Sequence, residues 1–111
     1  MRVFAISGVA GGFETLATTT SSIGFTSAKI APTTGNFAGM RARAAIISVE
    51  TADIRFTIDG TTPTVTAGTG AGHLLTKGGS YELDGEQNVE NFRCINAVAS
   101  SGAVVKCTYL F

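Results

Sequence analysis

A chain of 111 residues with eight basic and eight acidic side chains, and so no formal net charge, can hold one modest core without metal or disulfide. That neutrality argues against a dedicated nucleic-acid binder, which carries a basic patch or stripe, and no apolar run approaches the roughly 18 residues of a membrane-spanning helix. Only 14% of the residues are charged, against about 25% in typical soluble domains, and mean hydropathy is positive; self-repulsion is weak, and some of the surface is expected to be covered by neighbours.

In chain order, residues 1–8 (MRVFAISG) read as a first strand, with Val3 and Ala5 on one face and Phe4 and Ile6 on the other. Ser7, Gly8, Gly11 and Gly12 interrupt the apolar stretch that a signal peptide would need, so the chain is read as made and folded in a cytoplasm. Gly11-Gly12 is expected to turn the chain. Strands are predicted near Phe13–Thr18 and Ser22–Ile30, because Thr and Ser compete for backbone hydrogen bonds and the apolar spacing does not hold at 3.6. Residues 31–39 have the composition of a loop. In MRARAAIISVE the β-branched run Ile46, Ile47, Val49 marks a strand and favours a hairpin with the segment that follows. Val49 would then face Ile54, Ile47 would face Phe56 and Ala45 would face Ile58. Thr51-Ala52 lacks the positive-φ preference of a two-residue turn, so a slightly longer loop with the same pairing is expected.

The clearest strand is in IRFTIDGTTPT, residues 54–64, where Ile54, Phe56 and Ile58 alternate with Arg55, Thr57 and Asp59. Asp59-Gly60 stops it, and Pro63, which has no N–H for a ladder, takes the chain out of the sheet. Gly68, Gly70 and Gly72 lack the flanking strand, helix and Lys-Ser/Thr pair of a nucleotide loop, so residues 64–72 read as a surface loop. SYELDG is a short strand with Tyr81 and Leu83 inward. NFRCINAVA and GAVVKCTYLF are expected to form a last hairpin around Ser100-Ser101, pairing Cys94 with Cys107, Val98 with Ala103 and Phe92 with Tyr109. In that hairpin Asn96 sits on an apolar face, a cost unless it finds partners. The two cysteines read as buried apolar thiols. Seven or eight short strands with turn signals about every 8 to 12 residues make an all-β antiparallel sandwich, immunoglobulin-like or jelly-roll-like, the expected fold for residues 1–111.

Catalytic chemistry is hard to place. His73 is the only histidine and has no Cys, Asp or second His at ligand spacing. There is no G-x-S-x-G elbow and no oriented Cys/His pair. Asp53 with Asp59, and Glu82 with Asp84, read as strand-face or turn residues. The absence of Trp and the presence of two Tyr leave no aromatic platform for stacking sugars or bases. No enzyme activity and no cofactor are expected.

IRFTIDGTTPT, then Gly72-His73-Leu74-Leu75, Gly79, Leu83, Asn91-Phe92-Arg93 and a closing strand ending Tyr109-Leu110-Phe111, resembles a recurring pattern in small virion proteins of tailed bacteriophages. The resemblance covers residues 43–111. It implies a capsid decoration (cement) protein located in the virion, with the major capsid protein or other virion proteins as partners and a homo-oligomeric state, and neither nucleic acid nor membrane as ligand; a head–tail adaptor or tail component is the alternative position. The same segment is similar to a strand-turn of immunoglobulin-like modules appended to chitin- and hexosamine-processing enzymes, which implies a carbohydrate-binding or adhesion module instead. On the virion reading, the candidate assembly contacts are Phe4, Phe13 and Phe111 near the chain ends, with Thr64 and Val65 of the 64–72 loop, which would order on docking.

Overall fold

The computed structural model describes residues 8–65 and 71–111. Among these, seven strands and two short helices follow in the order β1 (Ala10–Ala17), α1 (Ser27–Ile30), β2 (Ala44–Glu50), β3 (Ile54–Thr57), β4 (His73–Leu75), β5 (Ser80–Asp84), α2 (Glu86–Asn91), β6 (Arg93–Asn96) and β7 (Val104–Leu110). The strands build two antiparallel sheets, β1-β7-β2-β5 and β4-β3-β6, and their apolar faces enclose a shared core. This is the all-β sandwich architecture expected from the strand pattern. The strand expected over residues 1–8 lies almost wholly outside the described residues; at its end Val9 and Phe111 exchange two backbone hydrogen bonds of 3.0 and 2.9 Å.

Period-two alternation sets the core. On β2, Ala45, Ile47 and Val49 point inward; on β7, Val105, Cys107 and Tyr109; on β3, Ile54 and Phe56. Rings carry the packing between the sheets. Phe92 stacks on Phe25 with centroids 4.4 Å apart and lies 6.0 Å from Phe56. Phe25 meets Tyr109 edge-on at 5.0 Å, and Phe56 meets Tyr81 at 4.9 Å. Each such pair adds about 0.5–1.5 kcal/mol beyond the area it buries.

Three expectations change. Residues 22–30 do not form a strand: Ile23 makes an isolated bridge to Cys94, and Ser27–Ile30 closes one helical turn. Gly24 lets that segment in, since a Cβ there would lie 2.8 Å from the Phe92 carbonyl oxygen, and Phe25 is thereby carried into the core. Gly11-Gly12 does not turn the chain but sits inside β1 at a register shift. A Cβ on Gly11 would lie 2.6–2.7 Å from the rings of Phe37 and Phe111, so the glycine answers to close ring packing. Neither predicted hairpin forms. β2 pairs with β5 and β7 while β3 pairs with β4 and β6, so residues 51–53 arch from one sheet to the other, with Thr51 at φ 79°. Likewise β6 and β7 lie in different sheets, and Cys94 pairs with Phe56 while Cys107 pairs with Ile47 and Glu14. Two strands presenting apolar faces to each other across a core show the same alternation as two strands bonded side by side.

Asn96 does find its partner. Buried Thr18 donates its hydroxyl to Asn96 Oδ1 at 2.6 Å and accepts the Ala103 backbone N–H at 2.9 Å, tying the end of β1 to the 97–103 connection. Thr18→Val keeps the shape and strands both groups, so it should cost about 1–3 kcal/mol in urea unfolding, the range for a buried polar group left without its partner.

Candidate assembly surface

The register places the side chains of the four-stranded sheet's outer face in rows. Phe13, Thr108, Ile46 and Glu82 form one; Thr15, Lys106, Ser48 and Ser80 the next; Ala17, Val104 and Glu50 a third. An antiparallel sheet with one wet face normally turns polar residues outward. Here Phe13 remains 54% exposed and Ile46 39% exposed in the same row. The only described salt bridges join Arg41 to Glu86 and Glu90, so Lys106, Glu50 and Glu82 have no ionic partner among the described residues. Lys106 Nζ reaches the Thr15 hydroxyl at 3.3 Å.

The inner face at the β1 edge is differently built. Glu14 accepts the Thr26 backbone N–H at 2.9 Å, the Thr26 hydroxyl at 2.6 Å and the Tyr109 hydroxyl, and so fixes the start of α1 against β1. Burial alone would raise the Glu14 carboxyl; the hydrogen bonds from Thr26 and Tyr109, with Lys29 nearby, hold it below its ordinary value. Burial, followed by the bond to Glu14, pushes the Tyr109 phenol far up. This cluster anchors structure, because each of its polar atoms is used in holding α1.

Grooves lie elsewhere among the described residues, among them a small one of about 200 Å³ lined by residues including Asp53 and Lys77 and two larger ones. One of about 360 Å³ is lined by Thr57, Ile58, Asp59, Thr61, Gly72 and His73. Asp59 spends its carboxylate on the Thr61 backbone N–H at 3.0 Å, which with the Thr61 side chain holds it below its ordinary value, and the His73 ring packs against Phe56 at 5.5 Å. The other, of about 370 Å³, is lined by residues including Phe25, Ile30, Arg41, Glu90 and Arg93, with Arg41 neutralised by its two glutamates. Among the described residues no group of three or more His, Cys, Asp or Glu could hold a metal ion, and no helix is long and apolar enough to cross a membrane.

Of the residues predicted as assembly contacts, Phe13 stands on the outer sheet face. Thr64 is exposed and Val65 half-buried beside it in sequence, with Thr64 N–H bonded to the Ala71 carbonyl at 3.0 Å; most of the 64–72 loop, and Phe4, fall outside the described residues. Phe111 is corrected: it is 5% exposed and stacks on Phe37 at 4.9 Å, because the last strand alternates inward at 105, 107, 109 and 111. Tyr81 does point inward, opposite Ile47, yet edge strand β5 leaves it 36% exposed. Sequence reasoning missed Ile46. Its signal was an isoleucine on the side of the alternation that goes on to Ser48 and Glu50. No protein-family model, curated protein or solved structure matches the chain.

Glu14 gives a pH prediction. A carboxyl held low contributes stability that is complete above its ordinary value of 4.5 and is lost as pH falls through the lower folded value. The stability gap between wild type and Glu14→Gln should therefore be constant from about pH 7 to about pH 5 and close below about pH 4, as read by urea unfolding at each pH. The cysteines give another. Cys94 and Cys107 are free and buried, and burial pushes both thiols up to about 12, with Glu14 adding to the effect at Cys107. Ellman's reagent at pH 8 should detect no thiol in the folded protein and both after denaturation.

Proposed function

We propose that this chain is a non-enzymatic virion structural protein of a tailed bacteriophage that docks on the capsid and stabilises it. One observation carries the reading: a sheet face with Phe13 and Ile46 left open to solvent on a chain with only 14% charged residues. Large apolar side chains in one exposed row mark a surface meant to be covered. The strand-turn pattern from Ile54 to Thr64 and the closing aromatic strand support the phage assignment by resemblance, and in the polar grooves Asp59 is engaged in its turn and Arg41 in its ion pairs. A small subunit of this kind works by multivalency: many copies, each held weakly, together clamp neighbouring capsomers. A head–tail or tail position in the same virion uses the same surface.

The test is mass spectrometry and immunogold labelling of purified virions from the phage whose genome encodes the chain. Many copies per particle on the outside of the shell are expected. Absence from the particle overturns the reading, and retention of specific sugars on a glycan array would put a carbohydrate-binding module in its place.

A further inference from the structure

The arch between the two sheets divides the chain into two segments, β1, α1 and β2 before it and β3 to β7 after it. Among the described residues β1 and β2 form no ladder with each other. Both pair with β7, β2 also pairs with β5, and the Ile23 bridge goes to Cys94. β2 and β3 are consecutive in the chain yet lie in different sheets. The first segment is therefore held in place by the second, through these ladders, the Thr18–Asn96 and Glu14–Tyr109 hydrogen bonds and the ion pairs of Arg41 with Glu86 and Glu90. The link between the segments is short. Asp53 is tied to the second one, its carboxylate accepting the Lys77 N–H at 2.7 Å and its carbonyl the Ala97 N–H at 3.1 Å. Thr51 and Ala52 are left to turn the chain, with the Ala52 N–H bonded back to the Glu50 carbonyl at 2.9 Å. Thr51 is the one non-glycine among the described residues with positive φ, at 79°, a region that a β-branched residue enters only under strain.

We infer that at high concentration two copies of this chain exchange their first segments, forming a swapped dimer with Thr51-Ala52 as the hinge. When the hinge opens, β1, α1 and β2 of each copy seat on β5, β6 and β7 of the other. Every ladder, hydrogen bond and ion pair between the segments then re-forms between chains, and the hinge alone changes conformation. Thr51 passes to extended backbone, which suits its branched side chain. Short hinges under strain invite this exchange. The closed and exchanged forms differ by the strain of two arches, set against the freedom lost when two chains become one particle, so concentration decides between them. The copies adjoin at the hinge, where Val98, 55% exposed and lining the same groove as Thr51 and Ala52, gains cover. Exchange breaks the ladders of β1 and β2, so folded monomer and dimer interconvert slowly. The inference rests on topology and the arch, and stands apart from the virion reading.

The experiment unfolds the full chain in urea and refolds it at about 5 μM and at about 0.5 mM, concentrations on either side of the range of a weak dimer. Sedimentation velocity at the lower concentration then separates monomer from dimer. Dilute refolding should give monomer, and concentrated refolding a dimer that persists on dilution. In a dimer refolded from equal parts of isotope-labelled and unlabelled chain, filtered nuclear Overhauser contacts should join Ile47 of one chain to Cys107 of the other, the two being ladder partners. Thr51→Gly takes up positive φ without strain, and it should lower the yield of dimer roughly tenfold, because the closed monomer no longer carries the strained arch. Two glycines inserted after Ala52 should act in the same direction by letting the arch close freely. Circular dichroism of each variant verifies the fold. Monomer alone after concentrated refolding overturns the inference, as does a dimer whose Ile47–Cys107 contacts stay within one chain, or one that the hinge variants fail to weaken.

Discussion

Five aromatic rings packed between two sheets govern the rest of this structure. Tyr81, Phe56, Phe92, Phe25 and Tyr109 form a continuous row with centroids 4.4–6.0 Å apart. The row draws on both sheets, the end of α2 and the irregular segment before α1. Because Phe25 reaches Phe92, the backbone at Gly24 runs hard against the Phe92 carbonyl, and the chain leaves the sheet after the single Ile23–Cys94 bridge. Because Tyr109 sits at the end of the row, its hydroxyl falls beside Glu14, which in turn holds Thr26 and the start of α1. Burial of rings thus sets the loop path and hydrogen bonds secure it.

Much of this could be read from period two. Ile54 and Phe56 alternate with Arg55 and Thr57, and the structure buries the first pair in the core; Leu83, Val105 and Cys107 follow the same rule. Alternation tells which side of a strand is apolar and is silent about which strand lies next to it. The pairings drawn across Thr51-Ala52 and Ser100-Ser101 were therefore wrong, although the lack of hairpin chemistry at Thr51-Ala52 hinted at an arch. The helices Ser27–Ile30 and Glu86–Asn91 are too short to impose a 3.6-residue pattern on the sequence. Gly11-Gly12 has the composition of a turn; its role depends on the Phe37 and Phe111 rings, which come from distant parts of the chain.

The candidate surface was legible in part. Phe13 could be singled out as an aromatic residue among small hydroxylated neighbours. Phe111 could not be told from it, since exposure at a chain end depends on whether the strand's last inward position is capped, and here Phe37 caps it. Ile46 and Lys106 acquire meaning only through register, which puts Ile46 in Phe13's row and Lys106 in the next, with the carboxylates one and two strands away. The result is a molecule whose core is closed by apolar packing between two sheets, with Phe13 and Ile46 left exposed in one row of the outer sheet face.

That this face is a surface to be covered is tested most directly by hydroxyl-radical footprinting of Phe13 in the free chain and in intact virions. Phe13 should be oxidised readily in the free chain and protected in the particle, while exposed Leu74 on β4 reacts equally in both. Equal oxidation of Phe13 in the two states would contradict the account.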